Sequence, residues 1–244
     1  KMEKGLTGNG VETLHGAARF TGANTLEVDG QPYQSKRFLV AAGAIPRPVS
    51  FTGANLMIDS TNFLNLGTLP KRILFVGGGF VSFEFAHIAA RAGAEPIIID
   101  RGARPLSAFD PDLVEMLIAR SAAVGVDLRR ETEIVSITAS DAGFAVEVKT
   151  GDQTTTIETD LVVHGAGRIA ALADLNLEAA GVSYGDKGII VAPHLQSTTN
   201  DAVFAAGDSA DTKGMPLTPV AVIEGKVAAS NMLKEQKIVP DYSG

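Results

Sequence analysis

The chain has 244 residues, with 21 basic against 28 acidic side chains for a net charge of −7, no cysteine and no tryptophan. The acidic balance argues against a nucleic-acid partner, which needs a clustered basic footprint. The lack of cysteine excludes a disulfide scaffold, a thiolate metal site and a redox dithiol within these residues. The longest apolar run, residues 38–45, is far short of a bilayer span, and the first residues lack the apolar core of a signal peptide. A soluble cytoplasmic chain with no membrane partner is the expectation.

The first fifty residues read as short strands over 11–14, 17–21 and 25–28, and Asp29-Gly30 between Val28 and Tyr33 is a hairpin signal. Residues 38–42, FLVAA, form a continuous apolar run, the pattern of a strand buried on both faces. Gly43, Pro46 and Pro48 end it and mark a first boundary. From residue 51 the texture is β-α-β-α: a short helix over 60–66, a buried strand over 73–76, a helix over 79–92 closed by Gly93, and a second buried strand over 96–99. Asp110-Pro111 starts a helix that presents Leu113, Met116 and Leu117 as its apolar face and stops near Gly125. Residues 133–137, 144–149 and 154–158 read as a small antiparallel group, and 161–164 as one more apolar strand. Beyond Arg168, short strands over 188–191 and 203–206 precede a helix over 219–233, entered through Thr218 as N-cap. The expected domains are 1–50, 51–167 and 168–244.

The strongest signal is ILFVGGGFVSFEFA, residues 73–86, in which a strand runs into Gly77-Gly78-Gly79-Phe80-Val81-Ser82 and a helix follows. Gly77 permits the tight turn, and Gly79 lets a pyrophosphate approach the backbone without meeting a Cβ. The free N–H groups of the helix start then face the phosphates, aided by the helix dipole. Ser82 stands where the third glycine of such a fingerprint packs helix against strand. Asp100, at the end of the next strand, offers a carboxylate to a ribose diol. Asp100 would repel a 2′-phosphate and favours NAD, whereas Arg101 beside it could bind that phosphate, with Arg104 close by. Both arginines also suit a solvated surface. The cofactor is therefore NAD or NADP.

Four blocks in order then resemble the flavin-dependent pyridine nucleotide–disulfide oxidoreductases, the group of glutathione reductase, lipoamide dehydrogenase and mercuric reductase. They are FLVAAGAIPRP, LPKRILFVGGGFVSFEFAHIAARAGAEPIIID, VVHGAGRIAALADLNLEAAGV and TTNDAVFAAGDSA with MPLTPVAVIEGKVAASNML. The resemblance implies an α/β fold: a Rossmann-like NAD(P)-binding domain inserted in a partial Rossmann-like FAD-binding domain. It implies that Asp208, after the strand and turn glycine Gly207, holds the ribityl chain of FAD. A carboxylate at a strand's carboxyl end also faces the ligand crevice of an α/β sheet on general grounds. The helix start Leu217-Thr218-Pro219 would aim N–H groups at electron-rich flavin atoms, as in the family. Backbone contacts to FAD are implied for Ala18, Ala42, Gly43 and Ala44, with Ala42 in place of the family's usual threonine. Glu84 matches the family's acidic residue of the first helical turn, near where nicotinamide meets flavin; a first-turn acid also suits the helix dipole. Gly167 and Arg168 match its Gly-Arg pair beside the nucleotide. Val135 matches an adenine-contacting position, although a valine there also suits a core strand.

The departures are as informative. Nothing before Phe38 carries the family's own glycine-rich loop for the ADP part of FAD, the two cysteines of its dithiol are missing, and the chain stops about where its C-terminal interface domain would begin. The resemblance thus implies the middle of a longer enzyme, homodimeric when complete, in which NAD(P)H passes hydride to FAD and FAD reduces a disulfide-like or metal substrate. No catalytic residue is assigned to this chain, and FAD is expected to bind it weakly or not at all. The alternatives are a non-catalytic nucleotide-binding or assembly module with a flavin-domain remnant, and a flavin reductase that never used a dithiol. The four histidines are scattered, and Glu84 with His87 lacks matching ligands elsewhere, so no metal site is expected.

Overall fold

The computed structural model describes residues 2–243 and divides them into two compact units, one formed by the segments up to Ile45 and from Ile169 onward, the other by Pro46–Arg168. The first segment holds helix α1 (Met2–Gly8) and strands β1 (Ala18–Gly22), β2 (Thr25–Val28), β3 (Gln31–Gln34), β4 (Phe38–Val40) and β5 (Ala44–Pro46). The continuous unit then runs through α2 (Ser60–Leu64), β6 (Arg72–Val76), α3 (Phe80–Arg91), β7 (Glu95–Ile99), α4 (Pro111–Ala123), β8 (Asp127–Arg129), β9 (Thr132–Ser140), β10 (Gly143–Thr150), β11 (Gln153–Thr159) and β12 (Leu161–His164). The chain returns through β13 (Arg168–Ala170), β14 (Tyr184–Gly185), β15 (Gly188–Ile190), β16 (Val203–Ala205), β17 (Ala210–Asp211) and α5 (Thr218–Leu233).

Unit Pro46–Arg168 is built in three layers around β6. Its sheet is parallel with strand order β12-β6-β7-β8. Strand side chains alternate between faces. Ile73 and Phe75 of β6 therefore pack with Phe83, Phe85, Ala86 and Ala89 of α3, while Leu74 and Val76 pack with Val146, Val148 and Ile157 of the antiparallel sheet β11-β10-β9. A strand covered on both faces reads as an unbroken apolar run, which is why ILFV lacks alternation. Asp110 caps α4, its carboxylate accepting from the N–H groups of Asp112 and Leu113.

In the other unit β16 and β4 pair in parallel, with Val203 opposite Phe38 and Ala205 opposite Val40. The meander β1-β2-β3 contributes Phe20, which meets Phe38 edge-on, and Leu177, Val182 and Ile189 complete the core. Asp29 and Gly30 both take positive φ and close the hairpin between β2 and β3.

Four expectations about elements are corrected. Residues 11–14 form no strand, and α1 precedes them with its side chains from Glu3 onward in water. β4 is three residues long and only half buried: Phe38 and Val40 face the core, while Leu39 on the other face is 37% exposed. The apolar face of α4 is not the one expected, since Leu113 is 65% and Met116 69% exposed. Of the three expected residues only Leu117 packs inward, joined by Val114, Ile118 and Ser121. The helix carries two overlapping stripes at helical spacing, and only the packing against its neighbours selects between them. Finally, Leu217 in extended conformation is the N-cap of α5, with Thr218 as the first helical residue and no side-chain cap.

His87 lies between α3 and α4, and its tautomer follows from the bonding. Ser121 Oγ donates to the Leu117 carbonyl at 2.7 Å, so it accepts from His87 Nε2 at 2.8 Å, and Nδ1 faces the Arg91 guanidinium at 3.1 Å as an acceptor. Burial, followed by the charges of Arg91 and Arg120, holds the imidazole below its ordinary pKa of 6.5. As pH falls, the unfolded chain takes up this proton before the folded chain does. The stability contributed by neutral His87 is therefore complete above pH 6.5 and is lost as pH drops from there toward the folded value. The urea midpoint should fall between about pH 7 and about pH 5, and His87→Gln, which keeps a donor for Ser121 without titrating, should show a smaller fall.

Candidate nucleotide-binding sites

The glycine turn at the carboxyl end of β6 has almost no room for side chains on its inner side. Gly77 has φ +101°, and a Cβ there would lie 2.6 Å from the Gly165 carbonyl oxygen and 2.7 Å from Ala166 Cα. Its N–H donates to the Ile99 carbonyl at 2.7 Å, tying the turn to β7. A Cβ on Gly78 would come within 2.4 Å of an Asp100 carboxylate oxygen and 2.8 Å of Pro105. Gly79 differs: its φ is −87°, and the nearest atom to an added Cβ is the Gly165 oxygen at 3.4 Å. The middle glycine thus makes space for Asp100, while Gly79 is not crowded by the fold at the helix start. The first-turn N–H groups of α3, at Phe80, Val81 and Ser82, have no acceptor within the helix.

Ser82 is fully buried, and among the described residues its hydroxyl has no hydrogen-bond partner. A Cβ on Gly165 would meet it at 2.0 Å. The α3 helix therefore rests on the glycine that follows β12. Gly165 was missed in sequence, although a glycine directly after the apolar run 161–164 was the available signal.

Asp100 is half buried, accepts from the Gly102 N–H at 3.3 Å, and is anchored by its own N–H to the Arg129 carbonyl of β8 at 2.9 Å. Arg101 is exposed, and Arg104 reaches the Ser107 carbonyl. Glu84 is exposed but is the fifth residue of α3, beyond its first turn, so the helix-dipole explanation for it is withdrawn. Val135 is 42% exposed on β9, which withdraws its core reading too. Gly167 and Arg168 are exposed, and the Gly167 carbonyl accepts from the Arg47 N–H at 3.0 Å.

In the other unit, parallel pairing of β4 and β16 brings their carboxyl ends side by side. Gly43 N–H donates to Ser209 Oγ at 2.9 Å, which joins the end of the β4 segment to the 3-10 turn Gly207–Ser209 that carries Asp208. Asp208 is half buried between two fixed neighbours, since the Gly207 N–H donates to Glu224 at 2.7 Å. Ala18 and Ala42 line one apolar recess of about 190 Å³, together with Phe20, Leu39 and Leu175. Ala44 follows in β5. Leu217 and Thr218 are exposed at the start of α5, which lacks a side-chain cap. Among the described residues no three His, Asp or Glu side chains gather as a metal-binding group, and no helix is long and apolar enough to cross a membrane.

A parallel sheet of order β12-β6-β7-β8, entered through a glycine turn onto a helix, defines a mixed α/β protein of Rossmann-like fold. Residues 1–225 match the family described as pyridine nucleotide-disulphide oxidoreductase, and the chain belongs to that family. It is 33% identical over 222 residues to a glutathione reductase of Burkholderia cepacia, covering 91% of this chain and 48% of the relative. It is 30% identical over 226 residues to a mercuric reductase of Staphylococcus aureus, covering 92% and 41%. The chain thus spans about half the length of the curated relatives it matches. Among solved structures, the HOCl-induced flavoprotein disulfide reductase RclA from Escherichia coli superposes with a TM-score of 0.83 at 24% identity, over 95% of this chain and 53% of that one, a likeness of fold.

The contact between residues 82 and 165 yields a double-mutant prediction. Gly165→Ala should lower stability by about 1–3 kcal/mol through overpacking against Ser82. Ser82→Gly should recover part of that loss in the double variant, the remaining approach being the Val76 carbonyl at 3.1 Å. Thermal unfolding of the two single variants and the double variant measures the coupling.

Proposed function

We propose that this chain is the central nucleotide-binding portion of an FAD-dependent NAD(P)H oxidoreductase. Residues 51–167 act as the nicotinamide-nucleotide domain, and residues 1–50 with 168–244 act as part of the flavin domain. The reading is carried by one observation. A Cβ on Gly79, at the start of α3, would make only an ordinary contact with the Gly165 oxygen at 3.4 Å, and the Asp100 carboxylate lies against Gly78 one residue away. That juxtaposition suits a pyrophosphate at the helix N-terminus and a ribose diol at the carboxylate.

In this reading the N–H groups of Phe80, Val81 and Ser82 face the phosphates, Gly77 and Gly78 set the turn, and Asp100 accepts from the ribose. Arg101, Glu84, Val135, Gly167 and Arg168 border the same nucleotide. Ala18, Ala42, Gly43 and Ala44 contact FAD, Asp208 accepts from its ribityl hydroxyls, and Leu217 with Thr218 offers the open start of α5. When bound, the nicotinamide supplies a hydride and FAD accepts it. A disulfide-like or metal substrate and a homodimer belong to the complete enzyme. With no cysteine in 244 residues, the reducing thiols must come from outside this sequence. The same lack of thiols favours the second reading, a non-catalytic nucleotide-binding or assembly module.

Isothermal titration with NADH and NADPH, each with and without FAD, tests the proposal. One nicotinamide nucleotide should bind without FAD. FAD alone should bind weakly, because among the described residues β4 pairs with β16 alone and Leu39 is left partly in water. Binding of neither nicotinamide nucleotide would defeat the proposal. Gly79→Ala sharpens the test: the added methyl has space in the folded chain, so the melting temperature should hold, while nucleotide affinity should drop about tenfold or more as the phosphate meets a Cβ. NADH-dependent flavin reduction by the complete protein, absent in the module reading, separates the two.

A further inference from the structure

Glu224 lies in the middle of α5 and is 1% exposed, yet three donors from three separate places in the chain converge on its carboxylate. One oxygen accepts the Gly207 N–H at 2.7 Å. The other accepts the Thr212 hydroxyl at 2.7 Å and the Tyr242 hydroxyl at 2.7 Å. Thr212 Oγ in turn accepts the Gly214 N–H at 3.1 Å. A carboxylate is an acceptor only, so every polar contact here has the correct sense. Burial in the first place, and the bond to Glu224 after it, push the Tyr242 phenol up to about 12, which keeps it a donor at neutral pH.

The tail that brings Tyr242 to this place is itself fixed. Asn231, seven residues along α5 and fully buried, donates to the Ile238 carbonyl at 2.8 Å and accepts the Ile238 N–H at 2.9 Å. The Lys237 ammonium donates to the Asn231 carbonyl and, at 2.8 Å, to that of Lys234. Glu224 and Asn231 thus clasp the C-terminal segment along one side of α5.

The target of this arrangement is the turn with Asp208. Gly207 has φ +65°, and a Cβ there would meet Ala221 Cβ at 3.0 Å, so the turn lies directly on α5. Its one inward N–H goes to Glu224, and the next residue but one, Ser209, is held by Gly43. Neither bond is made by Asp208, whose carboxylate has no hydrogen bond among the described residues.

We infer that Glu224, gripped by Thr212 and Tyr242, is a positioning residue that fixes the Gly207–Asp208 turn and so aims the Asp208 carboxylate at a flavin polyol. The inference rests on the flavin reading for its ligand, but the holding of the turn is measurable without any ligand. It goes beyond that reading by placing the determinant of the turn in the helix interior and in the C-terminal segment.

The test is residue-resolved amide hydrogen exchange in the 244-residue chain, combined with an FAD titration followed by the Asp208 amide shift. Gly207 should exchange about tenfold or more faster in Glu224→Met, which removes a charged acceptor, and about fivefold faster in Tyr242→Phe, which removes one neutral donor. Glu224→Gln should stay close to the parent, because its carbonyl can accept from Gly207 while its amide donates to the two hydroxyl oxygens. The Phe75 amide in β6, in the other unit, should keep its protection in every variant. FAD should shift Asp208 less readily in the two weakened variants, while NADH affinity holds. Unchanged Gly207 exchange in a folded Glu224→Met or Tyr242→Phe chain would overturn the inference. So would equal acceleration at Phe75, which would reduce Glu224 to a general stabiliser. Should Glu224→Met fail to fold, Tyr242→Phe decides alone. Should FAD leave Asp208 unmoved even at the highest concentration reached, where weak binding registers, the aim at a flavin polyol is overturned for this chain, and Gly207 exchange still decides whether Glu224 holds the turn.

Discussion

The backbone of Gly77 and Gly78 is pressed between two fixed partners, the peptide at 165–166 on one side and the Asp100 carboxylate on the other, with no space for a Cβ against either. Much of the unit Pro46–Arg168 is arranged around that closeness. It sets the distance between β6 and the residue after β12, lets α3 descend with Ser82 onto Gly165, and brings the carboxylate of Asp100, the residue after β7, against Gly78. Close packing of this kind is unforgiving, because protein interiors have few voids to absorb a methyl group. In the proposed reading, the same closeness lets one turn serve the fold and a nucleotide together. The inner faces of Gly77 and Gly78 are used by the protein, whereas a Cβ on Gly79 would make only an ordinary contact with the Gly165 oxygen at 3.4 Å.

The second unit solves a related problem by other means. Its turn at Gly207–Ser209 is held by hydrogen bonds: Glu224 on one side and the Gly43 N–H on the other. Burying a carboxylate is costly unless its lone pairs are satisfied. Glu224 meets that condition with three donors drawn from residues 207, 212 and 242. Packing therefore fixes the glycine turn after β6, and a polar network fixes the turn after β16.

The parts legible in the sequence were those written in local pattern. The run ILFVGGG gives strand, turn and helix from composition alone, and Asp110-Pro111 gives the start of α4 because a cap and a proline act within a few residues. What was illegible depends on distant partners. Leu113 and Met116 have the same spacing as an inward stripe, and only neighbouring elements decide that Val114 and Ser121 turn inward instead. Residues 3–8 of helix α1 are all exposed, and β8 is a short polar strand at a sheet edge. Within the candidate sites, Gly77, Gly79 and Asp100 could be singled out from the sequence. Gly165 had only its place after an apolar run as a signal, and Glu224 could not be given its place, since residues far along the chain converge on it.

The bond from the Arg47 N–H to the Gly167 carbonyl has a consequence for chain topology. It fastens together the two ends of the unit Pro46–Arg168, so that this unit leaves and re-enters at nearly one point. The entropy of closing a loop grows only slowly with its length, and a folded insert with joined ends behaves as a far shorter tether than its residue count suggests. The two segments of the other unit are thereby linked as though by a brief connection. The same adjacency makes residues 47 and 167 natural points for excising the insert, or for rejoining its ends and opening it elsewhere as a circular permutant.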